Sequence, residues 1–439
     1  MRGGSPSSGR RDFLRGIVRP KATAPMSVRK GGHGDDVSLL GFGMMRLPTV
    51  DGKHANMHHG GSKAEIDRDE VYAQIDYAIE RGVNYFDTSP AYCRGESEGI
   101  TGDALARHPR ESYKVATKLS NFAKAQYPIE KCREMYEKSR KLLHVDAIDY
   151  YLLHAVGMGG FDTFRRRYVD NGAIEFCLRE RDAGRIRNLG FSFHGDKRAW
   201  EWLMERHDKY HWDFVQIQMN YVDWRHAYET NKRNQDGIYL YGECAKRDIP
   251  VVVMEPLLGG RLARFNYTLA EKLVPLDPEA SLARWALRFA GHFPKVMTVL
   301  SGMTYREHLE ENCAIFSPLK PLSERELATL EEAAVAFIAD KAVPCNACNY
   351  CMPCPYGLDI PGIFTLYNEA LSQETQDWRK FLADYTGQIP YLRQANHCTG
   401  CNQCSPHCPQ RINIPREMRR IDTLVENLKR DGKVEDTTI

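Results

Sequence analysis

Residues 67–87 read "DRDEVYAQIDYAIERGVNYFD". Val71, Ile75, Ala78 and Ile79 fall on one face of a helix, and Gly82 marks its stop. The chain then enters "VNYFD" (83–87), a nearly continuous apolar run of the kind buried on both faces of a parallel sheet. Seven similar runs recur: "LLGFG" (39–43), "YKVAT" (113–117), "IDYYLLH" (148–154), "IRNLGFS" (186–192), "FVQIQ" (214–218), "PVVVME" (250–255) and "VMTVLSG" (296–302). Helix-length segments separate them. Eight alternating strand–helix units predict a (β/α)8 barrel, its repeats spanning about 37–316 within a domain of residues 31–318.

The remainder of the 439 residues divides around that barrel. Charged residues make up 27% and the net charge is +2, which gives no field to draw nucleic acid or an acidic membrane. The run Arg165-Arg166-Arg167 reads as a solvated face. No apolar run approaches the ~18 residues needed to span a bilayer. Residues 1–30 read as a disordered leader. Arg10-Arg11-Asp12-Phe13-Leu14-Arg15 within it resembles a twin-arginine export signal, although Arg19, Pro20 and Pro25 interrupt the apolar stretch such a signal needs. Export by that route therefore stands as the alternative to a cytoplasmic location.

Past Pro318 and Pro321, "SERE" (323–326) forms a capping box that opens a helix through about Asp340. Of 13 cysteines, five stand singly and eight lie in two phrases, "CNACNYCMPCPYGLDIP" and "CTGCNQCSPHCPQRINIP". Tight C-x2-C spacing in a chain of this size points to metal rather than disulfides, and such thiolates last best in a reducing compartment. Cys398-x2-Cys401-x2-Cys404-x3-Cys408-Pro409 has the bacterial ferredoxin spacing of a [4Fe–4S] cube. Cys345-x2-Cys348-x2-Cys351-x2-Cys354-Pro355 is one residue shorter. Zinc is the plainer alternative, although zinc knuckles usually pair one C-x2-C with a distant second. The helical stretch 355–397 between the phrases predicts a small α-helical, ferredoxin-like domain with two [4Fe–4S] clusters over 319–439. By analogy with two-cluster ferredoxins, Cys345, Cys348, Cys351 and Cys408 would hold one cube, and Cys398, Cys401, Cys404 and Cys354 the other.

In a barrel, chemistry is sought at the C-terminal ends of strands. Asp87 ends the second strand with Tyr92 five residues on, Lys118 ends the third, and His154 the fourth. The pattern D-T-x-x-x-Y, a strand ending T-K, then D-Y-x-L-x-H resembles the catalytic tetrad of the aldo/keto reductases. "GRIRNLGFS", "VQIQMNY", "EPLLGGRL" and "GMTYREHLEEN" extend that likeness along the barrel, and the cysteine phrases resemble the iron–sulfur branch of the family. The resemblance implies hydride transfer between NADP or NAD and a small carbonyl or alcohol. Tyr92 would be the general acid, its pKa lowered by Lys118; Asp87 would fix Lys118, and His154 would orient the carbonyl.

The same resemblance places Ser192 and Gln216 on the nicotinamide carboxamide and Met254 where a stacking ring often sits. Pro256, Leu257, Gly259 and Gly260 would lie along the pyrophosphate with Gly302 nearby, and Glu311 and Asn312 near the adenine. Phe193 stands where many members have Asn. His308, with Arg306 nearby, replaces the cation that usually grips the 2′-phosphate, so NADP and NAD stay equally open. His54, His58 and His59 in "DGKHANMHHGG" read as part of a glycine-rich loop rather than a metal site, and Cys93 lacks a partner base. Loops 48–66, 155–172 and 222–240 would set the substrate. The competing reading is an electron-transfer protein coupling NAD(P)H through the clusters to a ferredoxin-like partner.

Overall fold

The computed structural model describes residues 24–55, 62–263, 267–339, 343–345, 347–371, 377–408, 410 and 412–431. Two short strands, β1 (Val28–Lys30) and β2 (Asp36–Ser38), pair antiparallel ahead of the barrel. Eight parallel strands follow: β3 (Leu40–Gly43), β4 (Tyr85–Asp87), β5 (Lys114–Leu119), β6 (Ile148–Val156), β7 (Ile186–Phe193), β8 (Phe214–Gln218), β9 (Val251–Met254) and β10 (Val296–Ser301). They close in the order β10-β3-β4-β5-β6-β7-β8-β9, with Val299, Leu300 and Ser301 of β10 set against Leu40, Gly41 and Phe42 of β3. Every one overlaps a run read as a strand from sequence, with β5 and β6 running two residues past it and β7 one.

Alternation along each strand decides what fills the interior. Tyr85, Ala116, Tyr150, Leu152, Phe214, Val252, Met297 and Leu300 form one buried apolar cluster inside the barrel. Two residues further along the same strands, on the same face, come Asp87, Lys118, His154, Gln216 and Met254. The layer above the apolar filling is therefore mostly polar.

The opposite end is closed by the N-terminal hairpin. Val37 joins the interior cluster, and Tyr150 Oη donates to the Asp35 carboxylate at 3.0 Å. The Arg29 guanidinium donates to the carbonyls of Gly291, Phe293 and Val296. Residues 24–30 thus belong to the barrel rather than to the leader expected over 1–30, because those three carbonyls and the β2 ladder hold them. Residues 1–23 lie outside the described residues, as do His58 and His59.

Ser323 and Glu326 make the expected reciprocal cap, the Ser323 N–H donating to Glu326 Oε2 at 2.7 Å and the Glu326 N–H to Ser323 Oγ at 3.3 Å. The helix they open, Glu324–Ala339, packs Leu330, Ala333, Ala334 and Phe337 against Leu262, Leu269 and Trp285 of the barrel. It is an outer helix of the barrel, so the second unit starts near residue 340 rather than 319. That unit has its own core, in which Ile363 and Phe364 of helix Ile360–Leu371, Phe381 and Tyr385 of Trp378–Gln388, and Met418 and Ile421 of Ile414–Asp431 meet. No helix among the described residues is long and apolar enough to cross a membrane.

Gly102 lets helix Ser97–Leu105 touch the end of helix Ile129–Leu142, where an added Cβ would sit 2.0 Å from the Leu142 carbonyl oxygen. Gly102→Ala is expected to cost ~1–3 kcal/mol by overpacking, read as a lower urea midpoint at unchanged m-value. An unchanged midpoint would show that the two helices separate freely.

Candidate active site

The polar layer brings all four expected residues together. The Lys118 ammonium donates to Asp87 Oδ1 at 2.6 Å and to the Thr88 carbonyl at 2.8 Å, and its side chain is completely buried. Its Nζ lies 4.8 Å from the centre of the Tyr92 ring. Tyr92 is presented by a tight turn in which Cys93 and Arg94 adopt left-handed backbone (φ 48° and 59°). That turn is tied down by the Cys93 thiol, 3.5 Å from the carbonyls of Met44 and Met45, and by Arg94 donating to the carbonyls of Ala55, Ser62 and Ala64. Burial pushes the Cys93 thiol up to about 11, in keeping with a structural role.

The His154 ring meets the Tyr92 ring edge-on, centroids 5.9 Å apart. Its Nδ1 is 2.6 Å from Ser120 Oγ and 3.3 Å from Ser89 Oγ, which leaves Nε2 for the open side of the site. The His154 carbonyl accepts from the Arg167 guanidinium at 2.8 Å and from Tyr168 Oη at 2.6 Å. Arg167 is only 2% exposed, its head filled by the carbonyls of Asn121, His154 and Ala155. The solvated face expected for 165–167 therefore fails at Arg167, which supports His154 from behind. Its sequence neighbours gave no sign of this, because the chain here makes an irregular turn that points one arginine inward.

Burial dominates the electrostatics. It pushes the Asp87 carboxyl up and the Lys118 ammonium down, each opposed by the other's charge. It also holds His154 well below the ordinary 6.5, with Lys118 and His194 adding to the effect. Tyr92 is raised well above 10, by burial first and then by Asp87 and Glu255. This reverses the lowering expected from Lys118. Because Asp87 neutralises that ammonium, the pair offers a phenolate little net charge, and desolvation decides. The site holds a protonated tyrosine and a neutral histidine.

Three groups at the mouth carried no sequence signal. His194, after β7, places its ring 6.3 Å from His154, and burial holds it near pH 4. The charges of Glu255, after β9, and of Tyr350, between Cys348 and Cys351, both act against the Tyr92 phenolate.

The residues expected to contact a dinucleotide are distributed around the same rim. Ser192 and Gln216 are buried at the ends of β7 and β8. Gln216 Oε1 is buried without a protein partner, an orphaned acceptor suited to a carboxamide N–H, whereas Ser192 Oγ already accepts from the Ala155 N–H at 2.8 Å. Met254 ends β9. The segment after it, with Pro256 and Leu257, turns through positive φ at Leu258, Gly259 and Gly260. Across from that turn, Arg46 lies against Gly302 and its Nη1 is 3.9 Å from where a Gly260 Cβ would be. This cation, also unforeseen, suits a pyrophosphate. Glu311 accepts from Ser281 Oγ, and Asn312 donates to Ser301 Oγ at 2.9 Å, so both already have partners. Arg306 lies 3.7 Å over the Tyr77 ring and pairs with Glu310.

In the C-terminal unit, Cys345, Cys348, Cys351 and Cys408 line one small cavity. Cys354, Cys398, Cys401 and Cys404 line another. Ile360 and Ile414 form walls of both. Four thiols around each cavity are the ligand set that a [4Fe–4S] cube takes. Burial, with Cys408 and Cys345 close by, pushes the Cys348 thiol up to about 12. The Ala347 N–H donates to Cys345 Sγ at 3.3 Å, a contact of the kind that tunes cluster potential.

Residues 40–335, more than half of the chain, match the aldo/keto reductase family, and residues 344–414 match the 4Fe-4S dicluster domain. Among curated proteins, L-galactose dehydrogenase of Arabidopsis thaliana is 31% identical over 165 residues, 37% of this chain and 46% of that protein. The uncharacterized oxidoreductase YqkF of Bacillus subtilis is 26% identical over 335 residues, 70% of this chain and 96% of that protein. The chain spans about half or less of the plant relatives it matches, 36% and 46% of their lengths. An aldo/keto reductase from Klebsiella pneumoniae, solved with NADP and acetate, superposes with a TM-score of 0.54 at 21% identity, covering 70% of this chain and 95% of that one. At that identity the likeness is one of fold.

Asp87→Asn leaves the Lys118 ammonium buried without its counter-charge and is expected to cost ~3–5 kcal/mol, while Asp87→Leu combined with Lys118→Met recovers most of that loss. Denaturant unfolding of both variants measures it. A single variant as stable as the parent would show that the pair is not buried as an ion pair.

Proposed function

The chain belongs to the aldo/keto reductase family, and on that footing we propose that it is a nicotinamide-dependent oxidoreductase of small carbonyls and alcohols. The carrying observation is a buried Lys118–Asp87 pair beneath a protonated Tyr92, with His154 Nε2 open to the same space. Tyr92 gives its proton to the developing alkoxide during reduction and takes it back during oxidation. Lys118 steadies the phenolate that exists in passing, and Asp87 fixes Lys118. Neutral His154, its backbone held by Arg167, would donate from Nε2 to the carbonyl oxygen in the tautomer whose Nδ1 accepts from Ser120 Oγ. The nicotinamide, when bound, supplies or accepts the hydride. Gln216 and Ser192 would hold its carboxamide. Pro256, Leu257, Gly259, Gly260 and Gly302 with Arg46 would flank the pyrophosphate, and Met254 would pack on the ring. Glu311 and Asn312 remain the candidates at the adenine end.

The eight clustered cysteines would hold two [4Fe–4S] clusters, three thiolates from one phrase and the fourth from the other. A reducing compartment such as the cytoplasm suits that chemistry. Analysis of anaerobically prepared protein should find eight irons and eight sulfides per chain. Stoichiometric zinc without sulfide would contradict this.

A second reading draws on Tyr350, in the first cysteine loop, whose charge acts on Tyr92. On that reading electrons pass between the nicotinamide and the clusters toward a ferredoxin-like partner. Hydride carries two electrons and each cube one, so a mediator is then needed. Anaerobic titration with NADPH or NADH separates the readings: clusters that stay oxidised by absorbance and EPR support the reductase, and clusters that become reduced support electron transfer.

Tyr92→Phe should lower kcat by ~10²-fold or more while NADPH and NADH bind as in the parent. The acid and the donor are in their working states across the neutral range. Tyr92, raised, keeps its proton as pH rises through 10, and His154, lowered, stays neutral as pH falls through 6.5. The pH profile of carbonyl reduction should therefore show no inflection at either value. An inflection near 6.5 that vanishes in a His154 variant would overturn the electrostatic account.

A further inference from the structure

We propose that the open cleft beside His194 is an anion subsite that receives the carboxylate or phosphate carried by the substrate. This rests on the reductase reading and names the substrate class. Two segments expected to set specificity meet here. The turn Gly157–Gly160 follows β6, and Lys232 and Arg233 come from the loop after β8, with Gly195–Lys197 after β7 between them. Together they line an open cleft.

The walls are backbone. Gly157, Gly159 and Gly160 all have positive φ (86°, 82° and 89°), and a Cβ on Gly157 would lie 2.7 Å from the Asp196 nitrogen. Gly195, at φ 132°, would bring a Cβ to 3.2 Å from the Arg233 Cβ. Glycine is required for the loops to approach, and such turns expose peptide edges of the kind that gather around anions.

The charges point the same way. Asp196 is the one acid lining the cleft, and its carboxylate is already used. Oδ2 accepts from the Phe161 N–H at 2.9 Å and the Arg198 guanidinium at 2.8 Å, and Oδ1 from the Arg198 N–H at 2.9 Å. Lys197 lies 3.4 Å from Glu201. Lys232 and Arg233 form no ion pair among the described residues. A protein with a net charge of only +2 thus concentrates uncompensated cations in one glycine-walled space.

Position ties the cleft to the chemistry. His194 adjoins Gly195, its N–H donates to the Val156 carbonyl at 2.7 Å, and its ring neighbours that of His154. A substrate with its carbonyl between Tyr92 and His154 would reach the cleft by way of His194, the residue before Gly195. Of the segments given to the dinucleotide phosphates, Gly302 follows β10, opposite β6 in the closed strand order, whereas Pro256–Gly260 follows β9 beside β8, so NADPH binding is measured as well.

The test uses full-length, cluster-loaded protein and the double variant Lys232→Gln/Arg233→Gln. With NADPH and NADH, kcat/KM is compared for succinic semialdehyde and butanal, which differ by the terminal carboxylate. The parent should favour the acid by about tenfold or more, and the variant should lose that ratio through KM. Calorimetry with glutarate and inorganic phosphate, which need no turnover, should show binding that weakens about tenfold in the variant. A ratio near one in the parent, or no anion binding, would overturn the subsite. Weakened NADPH binding in the variant would reassign the cleft to the dinucleotide and overturn the substrate class. Anion binding without reduction of any carbonyl would sink the reductase reading while the anion site stands.

Discussion

A lysine ammonium and an aspartate carboxylate, both out of water and 2.6 Å apart, set the terms for everything at the barrel mouth. Burying either alone would cost several kcal/mol, so each is present because the other is. The pair fixes where the Lys118 head can lie, and hence which part of the Tyr92 ring it faces. It also cancels most of its own charge, which leaves burial to decide protonation. That is why Tyr92 keeps its proton and His154 stays neutral, two states that suit donation to a carbonyl oxygen.

The barrel supplies this pair through a period-two pattern. Tyr150 and Leu152 fill the interior on β6 and His154 follows on the same face, while Ala116 precedes Lys118 on β5 and Tyr85 precedes Asp87 on β4. A single register slip on any of these strands would turn a reacting group outward. The closing hairpin, held by Arg29, and the turn carrying Tyr92, held by Arg94, sit at opposite ends of the same construction. Arg167 acts similarly behind His154.

Much of this was legible in the chain. Strands were readable because each is a short apolar run between helical patterns, and the tetrad because its members end consecutive strands. The analogy with two-cluster ferredoxins divides the eight cysteines into the same two sets that line the two cavities. What escaped was set by packing rather than pattern. Arg167 is buried by an irregular turn, and Arg46 reaches Gly260 and Gly302 from a distant loop. Helix Glu324–Ala339 follows a proline-marked linker, which in sequence marks a domain boundary, yet its apolar face packs on Leu262 and Trp285. The direction of the Tyr92 shift escaped too, because a cation next to a phenol is visible in sequence whereas the neutrality of the pair it belongs to is not.

The central claim is that the barrel moves hydride to a carbonyl carbon. It is tested most directly by giving the cluster-loaded protein C4-deuterated NADPH or NADH with a panel of aldehydes and keto acids, and analysing the alcohol products by mass spectrometry. The account expects one deuterium on the former carbonyl carbon, delivered from one face of the nicotinamide, and none from Tyr92→Phe. Oxidation of the nicotinamide with reduced clusters and no deuterated alcohol would contradict it.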